Sequence, residues 1–188
     1  MPADFDPGRF LAGFAAAERF RGRRPLRLHL GPGPVRLPGW VRVSSDPAVG
    51  DLDLDLRLAL PFDDASVAAI YGWAVPDDLG ERLVALAVEA RRVLEPGGRI
   101  RLVGRDRRSL EAEVRHLALQ GVVDLDRIKA LPYWAAADVV ALLEAAGFAS
   151  VEQGAIDASA DPEFVGLESQ HGLGAAEGRS WFVVEAVR

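Results

Sequence analysis

Residues 26–40 read LRLHLGPGPVRLPGW. A short apolar run meets Gly31-Pro32-Gly33-Pro34, then a loop that closes on Gly39-Trp40. The run predicts a strand over 26–30. Two glycines directly after a strand serve one of two purposes. They make a sharp turn, or they bring bare backbone close to a ligand, because glycine tolerates strained angles and has no side chain in the way. The flanking sequence has to decide.

Upstream, Asp6-Pro7 is a helix start, with Asp6 at the N-cap and Pro7 in the first turn. Phe10, Leu11, Phe14 and Ala17 recur at helical spacing, so a helix is expected over 6–20, ending in the breaker-rich Arg21–Pro25 linker. Downstream, 40–43 reads as a second strand. DLDLDL at 51–56 alternates strictly, which predicts a strand with leucines on one side and Asp51, Asp53 and Asp55 on the other. Residues 67–71 are apolar nearly throughout, as in a strand buried on both faces. A helix over 83–94 should stop at Glu95-Pro96-Gly97-Gly98, with a strand following at 99–103. Helices are expected at 109–119 and 135–146, and the last strands at 149–153 and 181–187. Strands alternating with helices predict an α/β fold, a largely parallel sheet with helices on both faces. Ligands of such sheets bind beyond the C-terminal ends of the strands, near the switch in strand order.

Composition narrows the function. The chain has 188 residues, 49% hydrophobic and 27% charged, as expected for one soluble domain. The division expected is an N-terminal helix and linker over 1–24 and an α/β core over 25–188. A net charge of −6 argues against broad charge-driven binding to nucleic acid or to an anionic membrane. There is no cysteine, which excludes disulfides, thiolate metal sites and cysteine nucleophiles. No stretch of about 18 uncharged apolar residues is present, so no membrane span is expected, and a cytoplasmic location is the default. The dinucleotide fingerprint G-x-G-x-x-G would need a third glycine at position 36, where Arg36 stands, and no phosphate-loop motif occurs.

Three stretches in order, LHLGPGPVRLPGWVRV, DLDLDLRLALPFDDASVAAIYGW and EARRVLEPGGRIRLV, resemble the small single-domain class I S-adenosylmethionine (SAM)-dependent methyltransferases. The likeness covers roughly residues 26–105 well, and the closing SWFVVEAVR loosely. It implies a three-layer Rossmann-like fold with a mostly parallel seven-stranded sheet and the last strand antiparallel. It implies SAM as cofactor and S-adenosylhomocysteine as product. The Gly31-Pro32-Gly33 bend would pass against the methionine part of the cofactor. Asp55 and Leu56 would sit beside the adenine, with Asp55 accepting from its exocyclic amine. Tyr71 and Gly72 would offer backbone carbonyls to the ammonium, and Pro96-Gly97-Gly98 would be a structural reversal. The alternative for the aspartates of DLDLDL is a solvated strand face.

The sequence departs from that family twice. Its second strand usually ends in Asp or Glu, whose two acceptor oxygens take both ribose hydroxyls. Here Ser44 and Ser45 occupy that place. Close relatives carry a His and a Glu-His pair after the fourth strand, whereas this chain reads YGWAVPDD over 71–78. Asp77 and Asp78 are the ionisable groups left there. They are either a general base, which would need a pKa raised by burial, or the N-cap of the following helix. Trp73 would stack on adenine or an aromatic acceptor, or simply pack. The same choice, substrate wall or packing, applies to Tyr133-Trp134. His29 reads as a core residue, His116 as a surface-helix residue and His171 as a loop residue near the pocket or in solvent. Their separation predicts no metal site. The expected function is methyl transfer to a small-molecule oxygen or nitrogen acceptor by a monomer or homodimer. The alternatives are an inactive binding scaffold, or the fold reused for another biosynthetic reaction.

Overall fold

The computed structural model describes residues 6–119, 134–173 and 180–188. Seven strands form one sheet: β1 (Arg27–Leu30), β2 (Val41–Ser44), β3 (Leu52–Asp53), β4 (Val67–Trp73), β5 (Leu94–Arg105), β6 (Ser150–Gly154) and β7 (Trp181–Val187). Their order is β3-β2-β1-β4-β5-β7-β6. β7 runs antiparallel to both β5 and β6, and all other pairings are parallel. The chain builds outward from β1 in one direction, then returns to its other side at β4. The switch point therefore lies between the tips of β1 and β4, where an open α/β sheet leaves a crevice.

The helices are α1 (Pro7–Ala17), α2 (Val75–Leu79), α3 (Leu83–Val93), α4 (Arg107–Leu119), α5 (Ala136–Ala145) and α6 (Leu167–Gln170). One face of the sheet (Leu28, Leu30, Val41, Val43, Ile70 and Ile100 among others) packs on α3 and α5. α3 buries Leu83, Leu86, Ala87, Ala90 and Val93, a helical stripe whose Leu and Val members contribute roughly 1.5–3 kcal/mol each. Asp6 caps α1, accepting from the backbone nitrogens of Gly8 and Arg9. That helix lies directly on β3: a Cβ at Gly13 would come within 2.7 Å of the Asp53 carbonyl oxygen.

Two segments besides β4 differ from the sequence-based expectation. DLDLDL forms a ladder only at Leu52–Asp53. The burial alternation persists, with Leu52 and Leu54 buried, but the strand ends where Asp55 turns the chain. Its side chain accepts from the Arg57 backbone nitrogen at 2.9 Å and its carbonyl from Leu58 at 3.0 Å. The Glu95–Gly98 stretch does end the preceding helix, yet it belongs to β5. It forms a bulge between the pairs Val67–Leu94 and Ala69–Arg99, laddered to Arg188 through Gly97 and Gly98.

The other face holds ionisable groups. Arg101 of β5 is fully buried. Its guanidinium grips Glu168 of α6 bidentately at 2.8 and 2.9 Å, bonds the carbonyls of Ala155 and Ala158, and pairs with Glu185 of β7. Glu168 also accepts from the Asp157 backbone nitrogen at 2.7 Å, and Glu185 from the Ser159 hydroxyl at 3.0 Å. This network pins the 155–170 segment to the sheet. Beside it the histidines, expected to stand apart, meet: His29 Nε2 lies 3.2 Å from His171 Nε2. His171 stacks on Trp73 at 4.0 Å, and Trp73 on Trp181 at 4.8 Å. Burial holds the His29 imidazole neutral, with its pKa pushed down to about 3, and lowers that of His171 to about 4. His116 and Tyr133 lie outside the described side chains.

Two outcomes are expected. Arg101→Met leaves two buried carboxylates uncompensated, and urea unfolding at pH 7 should show a loss of about 3–5 kcal/mol. His29 and His171 stay neutral when folded but take up protons when unfolded, so they make stability fall as pH drops below about 6.5. Asp77, whose pKa is raised to about 6, acts in the opposite sense between its ordinary value and 6. Comparing wild type with His29→Leu cancels shared contributions. Between pH 7 and 4.5 the wild type should lose roughly 2–3 kcal/mol more than the variant. Parallel pH profiles would contradict the buried neutral imidazole.

Candidate functional site

The bend at the end of β1 sits at the switch point. Gly31 has φ +63°, and its backbone nitrogen donates to the Val43 carbonyl at 3.1 Å. A Cβ on Gly31 would lie 2.5 Å from the Trp73 carbonyl oxygen, so only glycine lets the tips of β1 and β4 meet. Gly33, also at positive φ, faces open space where its side chain would be. Beyond this bend opens a cleft of about 540 Å³. Gly31, Ser44, Ser45, Asp55, Leu56 and Asp78 line it, together with Arg9, Arg57, Val75 and Leu79. Ligand pockets typically span about 300–1,000 Å³, so a nucleoside-sized molecule fits.

The three carboxylates of the DLDLDL stretch are each held by an arginine. Asp51 takes Arg42 at 2.9 Å, which lowers its pKa. Asp53 takes Arg9 of α1, whose Nε lies 3.0 Å from both carboxylate oxygens and whose other end pairs with Asp53 and the Ser45 carbonyl. Asp55 takes Arg57 at 2.7 and 2.8 Å. A solvated strand face does not describe these groups. Asp55 borders the cleft with its carboxylate plane fixed by Arg57. Ser44 Oγ accepts from the Asp46 backbone nitrogen at 3.0 Å, which leaves its hydroxyl hydrogen to be donated.

Six residues expected at the site do not line the cleft: Pro32, Gly33, Tyr71, Gly72, Trp73 and Asp77. β4 runs two residues further than expected, so the carbonyls of Tyr71 and Gly72 fall inside the ladder, opposite Arg101 and Leu102. The carbonyl beside the bend is that of Trp73. The Tyr71 and Trp73 side chains point to the other face, where Tyr71 is fully buried and Trp73 lies between His171 and Trp181. Trp134 packs against the helical core and donates to the Gly80 carbonyl at 3.2 Å.

Asp77 and Asp78 lie in the first turn of α2, not at its N-cap; that place belongs to Ala74, at φ +53°. Asp77 accepts from the Arg105 backbone nitrogen at 3.1 and 3.2 Å, at the end of β5, and burial raises its pKa to about 6. Asp78 faces the cleft, and its pKa is raised by burial. Arg9 and Arg57 went unread in the sequence. Arg57, two residues past Asp55, had a local signal; Arg9, 44 residues from Asp53, had none. Among the described residues, no group of three metal-ligating side chains forms and no helix is long and apolar enough to cross a membrane.

No protein-family model and no curated protein matches the chain. Solved structures match its fold. A SAM-dependent methyltransferase from Thermotoga maritima superposes with a TM-score of 0.58 at 16% identity, over 94% of this chain and 88% of that one. A SAM-dependent methyltransferase from Archaeoglobus fulgidus gives 0.57 at 15% identity, over 96% and 94%. The Haemonchus contortus phosphoethanolamine N-methyltransferase 2, in complex with SAM, gives 0.54 at 12% identity, over 99% of this chain and 54% of that one. With this strand order, and with the helix-covered sheet ending in an antiparallel β7, the chain has the class I SAM-dependent methyltransferase fold.

Proposed function

We propose that the chain binds SAM in the cleft at the β1–β4 switch point and transfers its methyl group to a small-molecule oxygen or nitrogen acceptor. The observation that carries this reading is the cleft itself. It is open, of nucleoside size, and bordered by the side-chain-free Gly31 and by the Asp55 carboxylate. The residues present fit SAM in three respects. The side-chain-free Gly31 at the cleft admits the methionine part, with the Trp73 carbonyl near the place of its ammonium. Asp55 is an acceptor of fixed orientation for the adenine amine. Leu56 offers an apolar edge for the ring. When bound, SAM supplies an electrophilic methyl group on a sulfonium.

The ribose end is weaker than a carboxylate would make it. Ser44 donates one hydroxyl hydrogen, and the nearby Arg9 guanidinium is engaged by Asp53. Two ribose hydroxyls would thus meet the neutral hydroxyls of Ser44 and Ser45 instead of two anionic oxygens. Asp78 is the cleft-facing group for accepting a proton from the acceptor, and burial moves it toward the range where a base works near neutrality. Asp77 steadies the β5 tip beside it. Much of the rate in such transfers comes from aligning nucleophile and methyl carbon, so one poised carboxylate suffices. The Ser44 substitution is also the one observation favouring a scaffold that binds no cofactor.

Calorimetric titration with S-adenosylhomocysteine separates the two. The proposal predicts saturable binding, weakened at least about tenfold (about 1.4 kcal/mol) in Asp55→Ala. No heat and no thermal shift with excess ligand favours the scaffold. Once an acceptor is found, Asp78→Asn should lower kcat and leave the affinity for S-adenosylhomocysteine unchanged.

A further inference from the structure

The outward side of α3 carries an apolar stripe that no described residue covers. Val84 and Val88 are 53% and 54% exposed, two of the four large hydrophobic side chains exposed to that degree among the described residues. Single exposed apolar residues are ordinary, but two at i and i+4 on one helix make a patch. The patch continues into a groove of about 410 Å³ between α3 and α5, lined by Trp134, Ala141, Leu142 and Ala145 with the two valines. The alanines on the α5 side let a facing helix approach closely, within the roughly 8–10 Å at which packed helices settle. Asp138, the charged residue at the groove, is already paired with Arg107.

The charges flanking the stripe say what covers it. At helical spacing the face reads Glu81, Val84, Val88, Arg91, that is i, i+3, i+7 and i+10, beginning in the short turn that leads into α3. Val84 and Val88 lie equally far from residue 86, and so do Glu81 and Arg91. A two-fold axis that runs between two copies of the helix, level with residue 86, therefore sets valine on valine and acid on base. Glu81 has no ion pair among the described residues. Arg91 spends its Nε on the Gly147 carbonyl at 2.7 Å, and its terminal nitrogens have no ion-pair partner among the described residues. An unrelated partner would not require this symmetry; a second copy, joined by an isologous interface, does.

We propose that the chain dimerises through antiparallel packing of α3 on the same helix of a second copy, Val84 against the partner's Val88 and Glu81 paired with the partner's Arg91. Antiparallel packing also sets the two helix dipoles in opposite directions, so that the positive end of one lies beside the negative end of the other. A recess formed by Asp78, Leu79 and Gly80 with Val84, Ala85 and Val88 joins this face to the cleft, since Asp78 and Leu79 line both. The dimer would thus stand beside the cleft mouth. The inference does not depend on which ligand the cleft takes.

Sedimentation velocity of the full chain over a wide concentration range tests it. A dimer that dissociates on dilution is expected. Val84→Glu should weaken it at least about tenfold, and circular dichroism should show the variant still folded, because position 84 is exposed. Glu81→Arg and Arg91→Glu should each weaken association, and the two together should restore it. A monomer at all concentrations overturns the proposal and points to an intramolecular cover or a foreign partner. So does a dimer indifferent to Val84→Glu, or a double charge swap no better than the single ones.

Discussion

The architecture turns on one contact between backbones. At Gly31 the chain leaving β1 passes so close to the Trp73 carbonyl that a single added carbon would stand 2.5 Å from it. β1 and β4 are neighbours at the sheet's centre, and the strand order reverses between them. Closing their tips without a side chain turns the following backbone outward and leaves the rim of the sheet open. The cleft, the carboxylate beside it and the first turn of α2 all take their positions from that approach. The glycine is therefore needed for the fold as well as for any ligand, and a loss of function at position 31 would not by itself reveal binding.

The wall opposite the bend is electrostatic. Three aspartates at alternate positions would repel one another on a bare strand edge. Instead each is matched by an arginine from a different place in the chain: Arg42 on β2, Arg9 on α1 and Arg57 in the turn after Asp55. The effect of these pairs is geometric. Arg9 ties the N-terminal helix to β3 and to the Ser45 carbonyl, which makes that helix part of the cleft wall. Arg57 fixes the plane of Asp55.

The sequence revealed what short-range rules control. Apolar runs and alternation located the strands, Gly31 and Gly33 marked the end of β1, and the helical stripe of α3 announced its buried face. The final strand, Trp181–Val187, is where its apolar run placed it. DLDLDL shows the limit of such reading: alternation reported which side chains are buried, while the Asp55 turn decided where the ladder stopped. The EPGG bulge depends on Arg188, at the other end of the chain. The His29–His171 contact spans 142 residues, and the Arg101 cluster joins β5, α6 and β7. No local pattern encodes such meetings. The cleft was legible in its bend, its serines and Asp55. The extension of β4, which withdrew Tyr71 and Trp73 to the other face, was not, because an apolar run does not announce its last residue.

A crystal structure of the chain with S-adenosylhomocysteine tests the central claim most directly. The account predicts ligand density that begins at the Gly31 backbone and ends with the adenine amine within hydrogen-bonding distance of Asp55. A cleft that stays empty at saturating ligand, or a ligand seated elsewhere on the sheet, would contradict it.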